Sequence, residues 1–342
     1  MPDFGWLIIY PFLAALVVFL SILLSKYVDL LDKKTKLSGA LLGGILLAGV
    51  TSLPELFTSL SGTLIIGENH LVLGNIMGSD FFDIMIFGVV YFLFFKKFAL
   101  NKNKVGKQHY FSCLLTAILL VAVTIAAFVF DKFEWTIGYF NPMSLVIIAI
   151  YIFSLIKTPK TEEKEEEQEE VKSKLTIKQI WICLIIASII LIGASITITI
   201  VTDKIVESYG IGATFGGSLF LGLATSLPEV TATLSLCKKK NFNAAYGDIL
   251  GSCVFNILIL GIADALSFRA SSTIYRIDNA SFLLIIGTAI VLLLLLISVL
   301  FIRSKYFKND IKSRIFLYGI STLLIGSYLV YLILANLSFT LI

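Results

Sequence analysis

Charge is scarce in this sequence. Asp, Glu, Lys and Arg make up 15% of the 342 residues against 58% hydrophobic ones. So little polar material cannot keep the exterior of a soluble chain of this length wet. Histidine is scarcer still: His70 and His109 are the only two, and both fall near expected loops, where they read as surface residues. The four cysteines (Cys113, Cys183, Cys237 and Cys253) form no CxxC and sit in or beside apolar runs, which marks them as small buried side chains. Without a His or Cys cluster there is no basis for a zinc or copper centre. No nucleophile–base pair or metal-hydrolase spacing points to an enzyme. No basic region precedes the first apolar run, which follows Asp3, so the first span is expected to be retained rather than cleaved as a signal.

What the chain has instead is apolar length. Its mean hydropathy is +0.95, and a bilayer hides such surface at about 20 apolar residues per spanning helix. Runs of that size fall at 6–25, 38–66, 71–95, 108–130, 136–156, 177–201, 211–236, 243–266, 280–302 and 315–337. This predicts an all-α polytopic membrane protein with ten transmembrane helices. The loops agree. Of the 27 basic residues, all but Lys132, Lys204, Arg269 and Arg276 lie in every second loop, at 26–36, 96–107, 157–178, 238–240 and 303–314. Such loops face the cytoplasm, so both termini are expected to be extracellular. The net charge of +4 then implies no nucleic-acid partner.

One low-complexity segment, Lys160–Lys174, carries Glu162, Glu163, Glu165, Glu166, Glu167, Glu169 and Glu170. It reads as a solvated cytoplasmic linker and divides the spans five and five. The expected organisation is a first half at 1–157, a linker at 158–176 and a second half at 177–342.

The halves repeat. Thr51-Ser52-Leu53-Pro54-Glu55 recurs unchanged as Thr225-Ser226-Leu227-Pro228-Glu229, 174 positions on. The block from Gly74 to Asp83 matches the block from Gly247 to Asn256, 173 positions on. Two paired segments in one order and at nearly one spacing establish internal duplication. Five spans separate equivalents and five is odd, so the second copy enters the membrane inverted. Transporters built this way form their sites at the midplane, where the repeats meet.

Pro54 and Pro228 fall inside apolar runs, where each withholds a hydrogen bond from the carbonyl four residues back, on Val50 and Ala224. A bare carbonyl in lipid needs another partner, and a cation can be that partner. Glu55 and Glu229 follow the prolines at mid-span, where an ionisable side chain costs roughly 2.5–3.5 kcal/mol and is a functional candidate by default. Asp83 and Asn256 take matched positions in the adjacent spans, with Ser79 and Ser252 one helical turn before them on the same face. Thr51, Ser52, Thr225 and Ser226 add hydroxyls at the breaks. All these groups offer oxygen, the ligand of hard cations; calcium takes 6–8 such oxygens. Carboxylates this close stay ionised together only if cations neutralise them. One divalent or several monovalent ions can do so, and their competition is a basis for antiport.

These motifs resemble the sodium/calcium exchanger family of the cation/calcium antiporter superfamily, over the whole chain. The resemblance implies that Glu55 and Glu229 are shared calcium and sodium ligands. By the same analogy Thr51 and Thr225 contribute carbonyls and hydroxyls, and Ser52, Ser79, Ser226 and Ser252 line flanking sodium sites. Asp83 and Asn256 would close the centre, and Ala48 and Gly222 could offer carbonyls. It further implies a multi-pass protein of the cell membrane that works by alternating access, with the first and sixth spans sliding against the rest. Calcium and sodium ions and the lipid bilayer would be its partners, with no cofactor and no obligate protein partner. The family usually places Asn after the Gly-Ser pair, whereas this chain has Asp80 and Cys253. Asp80, and Asp248 upstream of the second pair, are expected to accept from neighbouring backbone N–H groups. Proton/calcium or potassium-linked exchange on the same scaffold is the alternative. A cation channel is disfavoured by the absence of a separate pore loop.

Overall fold

The computed structural model describes residues 4–35, 52–100, 108–130, 141–157, 175–238, 240, 242–267, 273–304 and 306–340. The acidic segment 158–174 of the expected linker lies outside them, as do Ala48, Val50 and Thr51. The described residues are all helix and connecting turn.

Counting contiguous α and π turns as one helix, the described residues form α1 (Phe4–Thr35), α2 (Leu53–Ser61, prolonged by a π-helical turn over Gly62–Ile66) and α3 (Asn69–Leu100). Then come α4 (Gln108–Ile125, prolonged as a π turn over Ala126–Phe130) and α5 (Met143–Lys157). The second half supplies α6 (Ile177–Tyr209), α7 (Ala213–Lys238, π-helical over Gly217–Gly222), α8 (Phe242–Ala265), α9 (Asn279–Arg303) and α10 (Ile311–Thr340). Eight are long and apolar enough to cross a membrane; α2 and α5 are shorter, and each abuts residues outside the described set.

Helix ends follow local chemistry. The Thr176 hydroxyl accepts from the Gln179 N–H, and the Gln179 side chain accepts from the Thr176 N–H at 2.8 Å, a reciprocal cap that starts α6. Gly67 at φ 80° closes α2. Its repeat equivalent, 173 positions on, is Lys240, which takes φ 65° without being glycine. The left-handed corner leading from α2 into α3 therefore recurs between α7 and α8.

The packing obeys the duplication. α3 lies against α2, α7, α8, α9 and α10, and its counterpart α8 lies against α7, α2, α3, α4 and α5. These two form the centre, and α3 is buried on nearly every side, as a helix that is apolar all round must be. α1 and α6 pair with each other. They share a second apolar core built on Leu20, Leu24, Leu184 and Leu191, which also takes in Leu71 of α3 and Leu221 and Ala224 of α7, while α3, α4, α5, α8, α9 and α10 share the large one. The outward faces of α1 and α6 carry exposed Phe12, Phe19, Ile185 and Ile189, a surface suited to lipid.

Without a hydrophobic force between helices in lipid, close approach relies on small residues. α3 meets the first half of α7 in this way. A Cβ on Gly74 would stand 2.1 Å from the Thr214 carbonyl oxygen, and one on Gly217 would stand 2.2 Å from that of Leu71.

Three expectations need correction. Pro54 stands at the second position of α2, after the N-cap Ser52 and Leu53, in the first turn, where a missing N–H costs nothing. His109 is not a surface residue. It is 3% exposed and its ring lies 5.5 Å from that of Tyr246, because the first turn of α4 packs on α8. Cys113, Cys237 and Cys253 are buried as expected, but Cys183 is only half-buried.

Candidate functional site

The two duplicated segments converge at the centre. Ser52 and Glu55 stand at the start of α2, Thr225, Ser226 and Glu229 on α7, Ser79, Asp80 and Asp83 on α3, and Ser252 and Asn256 on α8. Each of these side chains is 0% exposed except Ser252, at 1%. The upstream π turn of α7 ends at Gly222, and Pro228 within the same helix has no N–H to give the Ala224 carbonyl.

Contacts cross between the halves. The Ser52 and Ser252 hydroxyls lie 3.3 Å apart. Ser79 donates to the Gly222 carbonyl at 3.3 Å and shares a hydrogen bond with the Thr225 hydroxyl at 3.2 Å. The Asn256 amide donates to Asp80 Oδ1 at 2.9 Å. Glu55 lies within electrostatic reach of Asp83 and Asp80, and Glu229 within reach of Glu55, Asp83 and Asp248. The hydroxyl of Thr225 approaches Glu55 and that of Ser226 approaches Asp83, without closing a hydrogen bond of regular geometry to either.

The carboxylates are left unsatisfied by the protein. Both oxygens of Glu55, Glu229 and Asp83 lack a protein donor, as do Asp80 Oδ2, Asn256 Oδ1 and Ser226 Oγ. Lys204 and Glu207 pair at an exposed place near the end of α6, and none of the described Lys or Arg side chains bonds to the central carboxylates Glu55, Glu229 and Asp83. Burying an unpaired carboxylate costs several kcal/mol, and an all-oxygen donor set fits hard cations. No three acidic, His or Cys groups among the described residues close into a ready-made metal cage. A cation here would depend on hydroxyls, carbonyls and the Asn256 amide as much as on carboxylates.

Asp80 and Asp248 depart from expectation. Neither accepts from a backbone N–H: Asp80 takes the Asn256 side chain, and Asp248 Oδ2 takes the Thr233 hydroxyl at 3.2 Å. Both sit inside helices, where backbone N–H groups are already bonded four residues back. The sequence reading also passed over Asn75, which donates to the Thr58 and Ser59 hydroxyls at 2.9 and 3.0 Å. The signal was present, since Asn75 aligns with Asp248 and Ser59 with Thr233, so both repeats tie their two motif helices at the same place. It missed buried hydroxyls on α6 as well. Ser195, Thr199 and Thr202 recur at helical spacing, and Thr199 donates to the Thr58 carbonyl at 3.4 Å.

Comparison with known proteins agrees with this architecture. The sodium/calcium exchanger protein family matches residues 4–157 and 179–336. Inner membrane protein YrbG of Escherichia coli (strain K12) is 23% identical over 288 residues, covering 82% of each chain. Among solved structures, the Ca2+/H+ antiporter protein YfkE is similar at a TM-score of 0.68 and 15% identity, covering 96% of this chain and 92% of its own. The sodium-calcium exchanger NCX_Mj is similar at a TM-score of 0.56 and 18% identity, covering 95% of this chain and 96% of its own.

Proposed function

The chain belongs to the sodium/calcium exchanger protein family, and from that premise we propose that it is a secondary active antiporter exchanging calcium for sodium at one site between its repeats. The coarser statement is secure: it is a multi-pass membrane protein of a cation antiporter family rather than an enzyme. The finer reading is carried by one observation. Glu55 and Glu229, from opposite repeats, are fully buried beside Asp83, and their carboxylate oxygens have no protein donor.

In this reading Glu55 and Glu229 are ligands shared by calcium and sodium. Asp83 and Asn256 complete the centre with one carboxylate and one amide. Ser52, Ser79, Ser226 and Ser252 flank it as sodium ligands, and Thr51, Thr225, Ala48 and Gly222 supply backbone oxygen. One calcium ion or several sodium ions can neutralise the charge, not both together, and this exclusion couples the two movements. The halves 1–157 and 177–342 are inverted about the site, joined by the acidic linker 158–176 on the cytoplasmic side, with both termini extracellular in the cell membrane. The second core, centred on α1 and α6 and seated on α3 and α7 through apolar Leu71, Leu221 and Ala224, supports a pair that slides over the rest to open the site to each side in turn.

Proton-coupled exchange is the second reading, favoured by Asp80 as a fourth carboxylate beside the site and by likeness to a structure titled a Ca2+/H+ antiporter. Radioactive calcium uptake into proteoliposomes loaded with sodium, potassium or choline at matched pH separates the two. Sodium-dependent uptake is the expected result. Uptake driven by a pH gradient alone would move the assignment to protons, and uptake without any counter-ion would leave a channel.

A further inference from the structure

We infer that Asp80 is a positioning residue of the transport site: it holds the Asn256 amide so that its carbonyl oxygen, rather than its amino group, is turned to the cation. The inference rests on the antiport reading and gives a role within it to a residue that the duplicated motifs leave unexplained.

Asp80 is fully buried on α3, and its Oδ1 accepts from the Nδ2 of Asn256 on α8, 176 positions away in the opposite repeat. An ionised carboxylate only accepts hydrogen bonds. An amide facing it therefore bonds in one way, amino end first, and its oxygen is directed elsewhere. That oxygen, Asn256 Oδ1, is buried without a protein donor.

The two repeats differ at this position for a reason. Asp83, the equivalent of Asn256, has acceptors at both ends of its carboxylate, so rotating it changes nothing a cation would feel. Asn256 has one acceptor end and one donor end, and the donor end repels a cation. An amide in this place needs an orienter, and a carboxylate does not. The orienter occurs once accordingly: the residue after Ser79 is Asp80, which meets the amide, while the residue after Ser252 is Cys253. Cys253 lies against Asp80, and Asp83 and Glu55 are within electrostatic reach of Asp80.

The test compares calcium uptake by wild type, Asp80→Asn, Asn256→Asp and the exchanged pair Asp80→Asn/Asn256→Asp, each monodisperse in detergent before reconstitution. In Asp80→Asn the partner can accept or donate, so the amide at 256 loses its fixed direction. The KM for calcium should rise about tenfold to a hundredfold, the scale of a lost hydrogen bond to a charged group, with Vmax little changed. The exchanged pair restores a carboxylate oxygen at 256, fixed by an amide donor at 80, and should recover most of the wild-type KM. Asn256→Asp alone sets two carboxylates in contact and should transport less well than the pair, which keeps the test decisive if Asp80→Asn does not fold. An unaltered KM in Asp80→Asn, or a pair no better than the single variants, would overturn the inference. A wild type that takes up no calcium would instead remove the antiport reading beneath it.

Discussion

Glu55 and Glu229 each bury a carboxylate with no protein donor on either oxygen, so the ion-free protein carries a cost that a neutral isostere would remove. Glu55→Gln and Glu229→Gln should therefore melt at higher temperature than wild type in chelator and low sodium, while losing transport. Thermal unfolding in detergent checks this, and a lower melting temperature in both variants would mean that the protein satisfies these carboxylates after all. The pair of glutamates was legible in the sequence because the same five residues occur twice around them. The partners of Asp80 and Asp248 were not. Asp80 bonds from α3 to α8 and Asp248 from α8 to α7, and local spacing does not encode which helix faces meet; only the alignment of Asn75 and Ser59 with Asp248 and Thr233 hints at the second pairing. His109 escaped for the same reason: its position near a chain turn suggested water, and only the docking of α4 on α8 buries it.

Element by element, the decisive residues are those that set how near two helices come. Gly74→Ala and Gly217→Ala each drive a methyl into a backbone carbonyl of the partner helix, which cannot yield as a flexible side chain would. Overpacking of this kind costs about 1–3 kcal/mol or more, and because α3 and α7 carry Asp83 and Glu229, transport should fall with stability. Gly193→Ala on α6 meets nothing within 4 Å and should be neutral or stabilising by up to about 1 kcal/mol. Melting temperatures of the three variants test the contrast. At the other end of the bundle, Asp310 accepts from the Ser313 N–H at 2.8 Å and caps α10. That bond holds its carboxyl below the usual carboxylate range. Its contribution is present above the unfolded-state pKa and is lost as pH falls through the lower folded value. Amide exchange in the first turn of α10 should accelerate over that acid range in wild type, and the Asp310→Asn variant should show no such pH step. Helix existence followed from hydropathy, and boundaries followed less well. α1 runs on to Thr35, well past the expected residue 25, because nothing in an apolar count stops a helix once it leaves lipid. Pro54 stands in the first turn of α2, a placement that the length of the apolar run does not give.

At the scale of the whole molecule, the exchange of neighbours between α3 and α8 is the duplication expressed in three dimensions. The two five-residue motifs and their spacing made that architecture readable before any coordinates. The second core, centred on α1 and α6, was not readable, since their apolar stripes look like those of any other span. Orientation in the membrane is testable directly. On a background without native cysteines, Cys introduced at Glu207 should react with a membrane-impermeant thiol reagent in intact cells, and Cys at Lys308 should react only after permeabilisation; the reverse pattern would invert the topology. The central claim is that carboxylates from both repeats hold one calcium ion in competition with sodium. Calcium titration calorimetry on the purified protein tests it most directly, with wild type, Glu55→Gln and Glu229→Gln compared in choline and in sodium. The account predicts one saturable site in choline, weakened by sodium and lost in each single variant. Calcium binding that persists in either variant, or that sodium leaves untouched, would contradict it.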